Sequence, residues 1–323
     1  MTKRIKWIDI SKAIAIMLIA LYHITMNEIF REVAVNIGLP LFMLISGYLY
    51  KKGKNKDYII KKFKTIMIPF YFFAILEMIY YFCFEIKYRS NPDGYNIIKA
   101  IIGVLFGEYD YLFFNAHIWY LPYFFMVVII YNFLANLKDE KIANVLFIIL
   151  GIFSIFFTLP NIPFTLNRMD LLPYYAIGNI CKRYDAFSFE SYKKIWKLIL
   201  AIVLLFVVSI CYYYQIDKYG LKYILNFAGI IAVILFSQTI ENNDKILYKI
   251  GNYTLDILCI HGPIYRAFIK AFSIIVHKDT EFIRSNVLYS IVVVIIVIAL
   301  SYLISVVLHK IKDKLVEKKL KIA

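Results

Sequence analysis

The sequence predicts an all-α integral membrane protein, a polytopic bundle of about ten transmembrane helices with both termini in the cytoplasm. Three observations carry this. Hydrophobic residues make up 62% of the 323 and charged residues only 18%; a soluble domain is nearer half apolar and a quarter charged and needs that charge on its surface. Apolar runs of about 18 residues or more, each long enough to cross a bilayer as a helix, recur along nearly the whole chain. They are continuous and rich in Ile, Leu and Phe, where a transmembrane β-barrel would show short alternating strands. The net charge of +15 sits in lysine clusters between the runs, the distribution that sets membrane orientation, and not on the basic face of a nucleic-acid binder.

The expected spans are 8–27, 33–50, 65–86, 117–137, 142–159, 171–182, 194–214, 221–241, 250–275 and 286–309. Lys3, Arg4 and Lys6 precede the first run, but no A-x-A-like cleavage site follows, so it reads as a retained helix and not as a signal peptide. The segment 96–107 is apolar but too short to cross, and is expected to be re-entrant or interfacial. The sixth span is also short, which suggests tilt or a break. With the N-terminus inside, the segments 1–12, 51–64, 138–141, 182–197, 241–249 and the tail from 310 hold about 26 of the 37 lysines and arginines; the opposite orientation inverts that ratio. The basic tail Lys310–Lys321 is accounted for by holding that end inside. Neither an internal repeat nor an appended soluble domain stands out, so residues 1–323 read as a single membrane-embedded domain, and inverted-repeat transporters are disfavoured. Cys83, Cys181, Cys211 and Cys259 fall in or beside apolar segments without CxxC or metal-ligand spacing; they read as small buried hydrophobes, and no metal is expected.

Ionisable side chains inside spans are costly and mark function. The first helix holds Asp9, Lys12 and His23. Lys12 and His23 are eleven residues apart, about three turns, so they share a face and lie roughly 16 Å apart along the axis. Asp9 sits one turn before Lys12 and can pair with it. An imidazole suits general-base work because it changes charge near neutral pH. For a lone His the plainer reading is a hydrogen bond to a nearby carbonyl; the shared face with Lys12 brings the two readings level. Lys61-Lys62-Phe63-Lys64 precedes the third span. Positive-inside anchoring explains it, and so does an anionic cytosolic molecule at the inner mouth of the helix. Ser46-Gly47, within Leu39–Tyr48, permits close helix approach. Asn115-Ala116-His117-Ile118-Trp119-Tyr120-Leu121-Pro122 reads as interfacial aromatics or as a platform for a sugar face. Asp256 and His261, in Gly251–Pro263, are polar groups expected to face the bundle interior, as are Glu77, Arg266 and Lys270.

In this order the segments resemble the acyltransferase family 3 membrane proteins, including the stand-alone sugar O-acetyltransferases of bacterial envelopes. Arg4-Ile5-Lys6-Trp7-Ile8-Asp9-Ile10-Ser11-Lys12 through Ile16 looks like the family's first helix, and Lys12 with His23 matches its basic-residue-x10-His motif. Lys61-x-x-Lys64 is similar to its RxxR-type motif, with Lys in both places. Leu39–Tyr48 resembles its PLFFFISGYL helix, His117–Leu121 its HLWFL segment, Tyr174–Gly178 its YYxxxG region and Thr254–Pro263 its SLxIYxxHxP region. Two departures stand out. Lysine lacks the bidentate phosphate grip of arginine. Gly38 stands where some sugar acetyltransferases carry the His of FHMPLFF.

The resemblance implies an O-acyltransferase of the cytoplasmic membrane, multi-pass, that moves an acyl group, expected to be acetyl, from acyl-CoA to a carbohydrate or glycolipid acceptor. It implies His23 as the base, supported by Lys12 and Asp9, with Lys61 and Lys64 at the phosphates of acetyl-CoA and with His117, Trp119 and His261 on the acceptor side. Membrane lipids are the other expected partners. The alternatives are a transporter or flippase of lipid-linked or small-molecule substrate, and a scaffold without chemistry.

Overall fold

In the computed structural model, residues 4–87, 96–157, 159–160, 162–189, 191–216, 220–242 and 244–320 are described; Lys3 and Lys321 lie outside them. Among the described residues the regular elements are all helices, without strands. In chain order the helices are α1 (Lys6–Ile24), α2 (Glu28–Tyr48), α3 (Asn55–Lys62), α4 (Ile68–Cys83), α5 (Ile97–Phe106), α6 (Tyr120–Leu137), α7 (Glu140–Phe156), α8 (Leu172–Arg183), α9 (Lys194–Tyr213), α10 (Leu221–Ile240), α11 (Lys245–Gly251), α12 (Thr254–Val276), α13 (Thr280–Ser285) and α14 (Val287–Leu320). Each of the ten expected spans coincides with one of these helices.

Among the described residues, eight segments are long and apolar enough to cross a membrane: α1, α2, α3 run together with α4, α6 with its preceding turn, α9, α10, α12 and α14 up to Leu315. The fifth and sixth expected spans, α7 and α8, are helices of 17 and 12 residues. The short apolar segment is α5, 10 residues long. Its start is capped by the Asn96 side chain, which accepts from the Lys99 N–H at 2.8 Å, and its end by Gly107 at φ +61°, a conformation that glycine adopts without strain. The outward faces are apolar: Phe156 is 72% exposed, Leu288 68% and Phe206 66%. A belt of large exposed side chains on this scale is stable against lipid and not against water. The chain is a polytopic helical membrane protein.

The chain divides into two compact units. Residues 1–39, 190–217 and 223–323 form the first, which contains α1, the start of α2 and α9 to α14. Within it α1 packs on α11, α12 and α14, and α12 packs along α14. The second comprises residues 40–189 and 218–222. Its helices α3 and α7 pack on α6, and α7 also packs along α8.

Within the second unit, α2 and α8 meet backbone to backbone. A Cβ at Gly47 would overlap the carbonyl of Tyr175, and a Cβ at Gly178 would overlap that of Leu44. The two glycines thus interlock the helices reciprocally, as small residues do in lipid, where the hydrophobic effect offers no drive for helix association. Beside this contact a polar chain is threaded through the apolar interior. Tyr131 donates to Asn144 Oδ1 (2.7 Å), Asn144 to Asn179 Oδ1 (2.9 Å), and both Asn179 and Arg183 reach Glu140 Oε2 (3.3 Å). Gly178→Val is expected to destabilise the protein by about 1–3 kcal/mol, read as a lower midpoint of chemical unfolding in detergent micelles. An unchanged midpoint contradicts the close contact.

Candidate active site

The first helix is organised around a buried carboxylate. Asp9 is 2% exposed. Its Oδ1 lies 2.5 Å from Lys12 Nζ and its Oδ2 2.8 Å from Arg4 Nε. A carboxylate out of water is tolerated only when its charge is met, and here both cations come from the same stretch of chain. The expected Asp9–Lys12 pair is therefore present, with Arg4 as a further partner. The neighbouring helices seat this turn closely: a Cβ at Gly251, the last residue of α11, would overlap the Asp9 carbonyl, and Ser11 Oγ donates to Ser237 Oγ of α10 at 2.9 Å.

Eleven residues further on, His23 lies in the last turn of α1. Its ring centroid is 4.8 Å from that of Tyr22 and 5.7 Å from that of His261. His261 is fully buried in α12. Its Nδ1 lies 2.9 Å from the Leu258 carbonyl oxygen and 3.1 Å from that of Ile257. Carbonyls only accept, so Nδ1 carries the hydrogen and Nε2 the lone pair. Two imidazoles from distant parts of the chain are thereby adjacent, one of them in a fixed tautomer. The end of α1 is held by Arg284 at the end of α13, whose Nε donates to the Ile24 carbonyl (3.0 Å) and whose Nη2 donates to that of His23 (3.2 Å). This satisfies carbonyls that a helix end leaves open, with a cation at the negative end of the dipole.

In the second unit a pocket of about 430 Å³ is lined by Lys51, Lys52, Lys54, Lys61 and Lys62, together with Asp57 and the rings of Tyr50, Tyr58 and Tyr175. Its rim is the segment between α2 and α3, fixed to the end of α6 by Asn132, with Asn136 Nδ2 also donating to the Gly53 carbonyl (2.9 Å) and Asn55 Oδ1 (3.1 Å). Asn132 Oδ1 accepts from Tyr50 Oη (3.0 Å) and the Gly53 N–H (3.1 Å), while its Nδ2 donates to the Gly53 carbonyl (3.1 Å) and Asn55 Oδ1 (2.9 Å). Lys52 Nζ adds a bond to the Ala135 carbonyl at 2.7 Å. Burial pushes the Tyr50 hydroxyl pKa upward, with the negative charges of ionised Tyr58 and Glu140 adding to it, so the group stays a neutral donor to Asn132.

The lysine motif itself departs from expectation. Lys61 lines the pocket and Lys64 does not; Lys62 takes the second place. The sequence places the cluster in a loop ahead of the third span, whereas the helix already begins at Asn55, and Phe63–Met67 forms a π turn inside it. The N–H of Ile68 bonds to the carbonyl of Phe63, an i→i+5 link. Such a turn rotates less per residue than an α-helix, so a three-residue step no longer returns to the same face.

His117 and Trp119 lie in the 3-10 turn Ala116–Trp119 that leads into α6. Trp119 is only 7% exposed. The Arg168 guanidinium covers its ring at 5.3 Å, and that arginine is held by Asp170 through two bonds of 3.0 Å. The tryptophan is therefore packed and not an open platform. Nearby, Asn115 bonds to Glu77, and both are buried.

Residues 5–306, almost the whole chain, match the family model of the acyltransferase domain of the acyltransferase 3 type. The chain belongs to the acyltransferase 3 family. No curated protein and no solved structure matches it. Membership makes this polytopic protein a membrane acyltransferase.

Of the residues expected to act in this acyltransferase, Asp9, Lys12, His23 and His261 belong to the first unit, where Asp9 pairs with Lys12 and His23 stands beside His261, and Lys61, Lys64, His117 and Trp119 belong to the second. Sequence reading missed Asn132, whose only signal was an amide inside an apolar helix. It also missed Lys62 and the tyrosines of the pocket. Asn132→Ala is expected to loosen the 50–55 segment and to speed tryptic cleavage after Lys51, Lys52 and Lys54 about tenfold or more, since local opening sets the rate. Unchanged cleavage contradicts the clamp.

Proposed function

We propose that this protein transfers an acyl group, acetyl by family analogy, from cytosolic acyl-CoA to a hydroxyl of a cell-envelope or secreted sugar or polysaccharide, working in the cytoplasmic membrane with both termini inside. His23 carries the proposal. It shares the α1 stripe with the Asp9–Lys12 pair and stands against a second imidazole, His261. His23 takes the proton of the acceptor hydroxyl as the oxygen attacks the thioester carbonyl. The new C–O bond forms, the C–S bond breaks, and the proton passes on to the leaving thiolate, giving an ester and free CoA thiol. A route in which His23 itself carries the acyl group yields the same products.

The lysine pocket supports the donor assignment. Five lysines against one aspartate suit the several phosphates of a coenzyme A, and about 430 Å³ falls in the usual range of small-molecule sites, about 300–1,000 Å³. Lys61 and Lys62 take the phosphates, with Lys64 contributing charge from another face. His261, beside His23, is assigned to the acceptor side.

His23→Ala is expected to lower acceptor-dependent thiol release from acetyl-CoA by about 10²–10⁴-fold with membrane insertion retained; near-normal release removes His23 from the mechanism. Lys61→Gln and Lys62→Gln are each expected to raise the KM for acetyl-CoA by about tenfold, the scale of one charge-assisted hydrogen bond. An unchanged KM contradicts the phosphate assignment. A transporter or flippase would move substrate without releasing thiol.

A further inference from the structure

Lys193 and Lys194, at the start of α9, are exposed, as anchoring lysines are expected to be. Lys197, in the first turn of the same helix, is only 8% exposed. It lies on the inward face: the other buried residues of α9 are Ala201, Val208 and Tyr212, successive turns of one stripe, and Tyr212 donates to Asn226 of α10. The neighbouring Trp196 is 61% exposed and marks the boundary between lipid and water. A lysine near a helix end usually stretches its ammonium out to that boundary; Lys197 is covered instead.

A buried cation is costly unless its charge is met. Among the described residues no carboxylate lies within ion-pair distance of Lys197. Three acids of the first unit that the proposed orientation puts at the same end are engaged elsewhere. Asp9 holds Lys12 and Arg4, Asp256 holds His309 at 2.8 Å, and Asp244 accepts from the N–H groups of Ile246 and Leu247.

Two turns beyond Lys197 on its stripe, about 12 Å along the axis, Leu205 lines a groove of about 460 Å³. Met17 and Leu18 of α1, Val233 and Phe236 of α10 and Val294 of α14 form other parts of its wall, and none of the lining side chains is polar. All four helices are long and apolar enough to cross a membrane, so the groove lies at the depth of lipid tails, whose contacts its walls need. A cation at one end of an aliphatic slot matches one class of ligand, an anionic amphiphile.

From Lys197 on the inward face of α9 and the aliphatic groove beyond it, we propose that this protein binds an acidic phospholipid, of the phosphatidylglycerol type, with its phosphate on Lys197 Nζ and one acyl chain along the groove. Basic pockets between membrane helices on the cytoplasmic side hold acidic headgroups in this way. A zwitterionic headgroup carries its own ammonium and leaves the charge of Lys197 unmet. Leu18 and His23 are about 140° apart on α1, so the lipid site is distinct from the one proposed for acyl transfer, and neither depends on the other.

The test is native mass spectrometry of the purified full-length protein in detergent micelles, titrated with phosphatidylglycerol or with phosphatidylcholine of the same two acyl chains. Phosphatidylglycerol is expected to bind about tenfold more tightly or better, the scale of one charge-assisted contact. Lys197→Gln is expected to weaken phosphatidylglycerol about tenfold and to leave phosphatidylcholine within about twofold, while Lys197→Arg, which keeps the charge, retains phosphatidylglycerol. Met17→Trp, which fills the groove from a half-buried position, is expected to weaken both lipids. Equal affinity for the two lipids, wild-type binding of phosphatidylglycerol by Lys197→Gln, or the same loss in Lys197→Arg as in Lys197→Gln overturns the charge pairing. Undiminished binding by Met17→Trp overturns the placement of the chain.

Discussion

A carboxylate cannot lie inside a membrane helix unless its charge is met, and Asp9 meets that condition through Lys12 on its own helix and Arg4 in the stretch just before it. This pair fixes the rotation of α1. Turning the helix would drag a charged cluster across apolar neighbours at several kcal/mol per unpaired ion. The glycine end of α11 presses on the same turn from outside. Once that rotation is fixed, the 100° step of the helix decides every later position: His23 returns to the Asp9–Lys12 face, while Ile14, Met17, Leu18 and Leu21 fall on the opposite side, along an apolar groove of about 460 Å³ shared with α10 and α14. The base of the proposed reaction is thus positioned by an ion pair three turns away.

The second unit solves a similar problem with neutral groups. Amides and phenols, Tyr131 to Asn144 to Asn179, satisfy one another in sequence through its interior. A fully satisfied network of this kind specifies one arrangement of helices without burying a net charge. Asn132 extends the same logic to the 50–55 segment, so that five lysines, which repel one another, are still held around one pocket. The π turn that follows is a departure from regular helix of the sort found at functional sites; it holds Lys64, which does not line the pocket.

What depends on composition and on spacing along one helix was legible in the sequence. The ten apolar runs all became helices, and the Asp9–Lys12 pair follows from an i,i+3 relation. Ser46-Gly47 announced a close approach, and the structure supplies its partner, the Tyr175 to Gly178 turn of α8. What the sequence does not show depends on irregular backbone or on distant chain. The π turn that separates Lys64 from the pocket lining leaves no mark in a periodicity count. Of the two readings of Trp119, interfacial packing or a platform, the sequence could not choose, because Arg168, which covers the ring, is far along the chain and carries no pattern linking the two. The neighbourhood of His23, with His261 and Arg284, is likewise set by tertiary packing of α12 and α13.

The account turns on the rotation of α1, and labelling with a lipid-soluble maleimide measures it. Single cysteines at position 18 or 23 would be placed in a protein whose Cys83, Cys181, Cys211 and Cys259 are replaced by alanine, then reacted in nanodiscs. Leu18→Cys is predicted to be labelled about tenfold faster or more than His23→Cys, because the first side chain faces the apolar groove and the second the imidazole of His261. Equal rates, or faster labelling at 23, would contradict a helix whose orientation is set by Asp9 and would remove the geometric basis for His23 as the base.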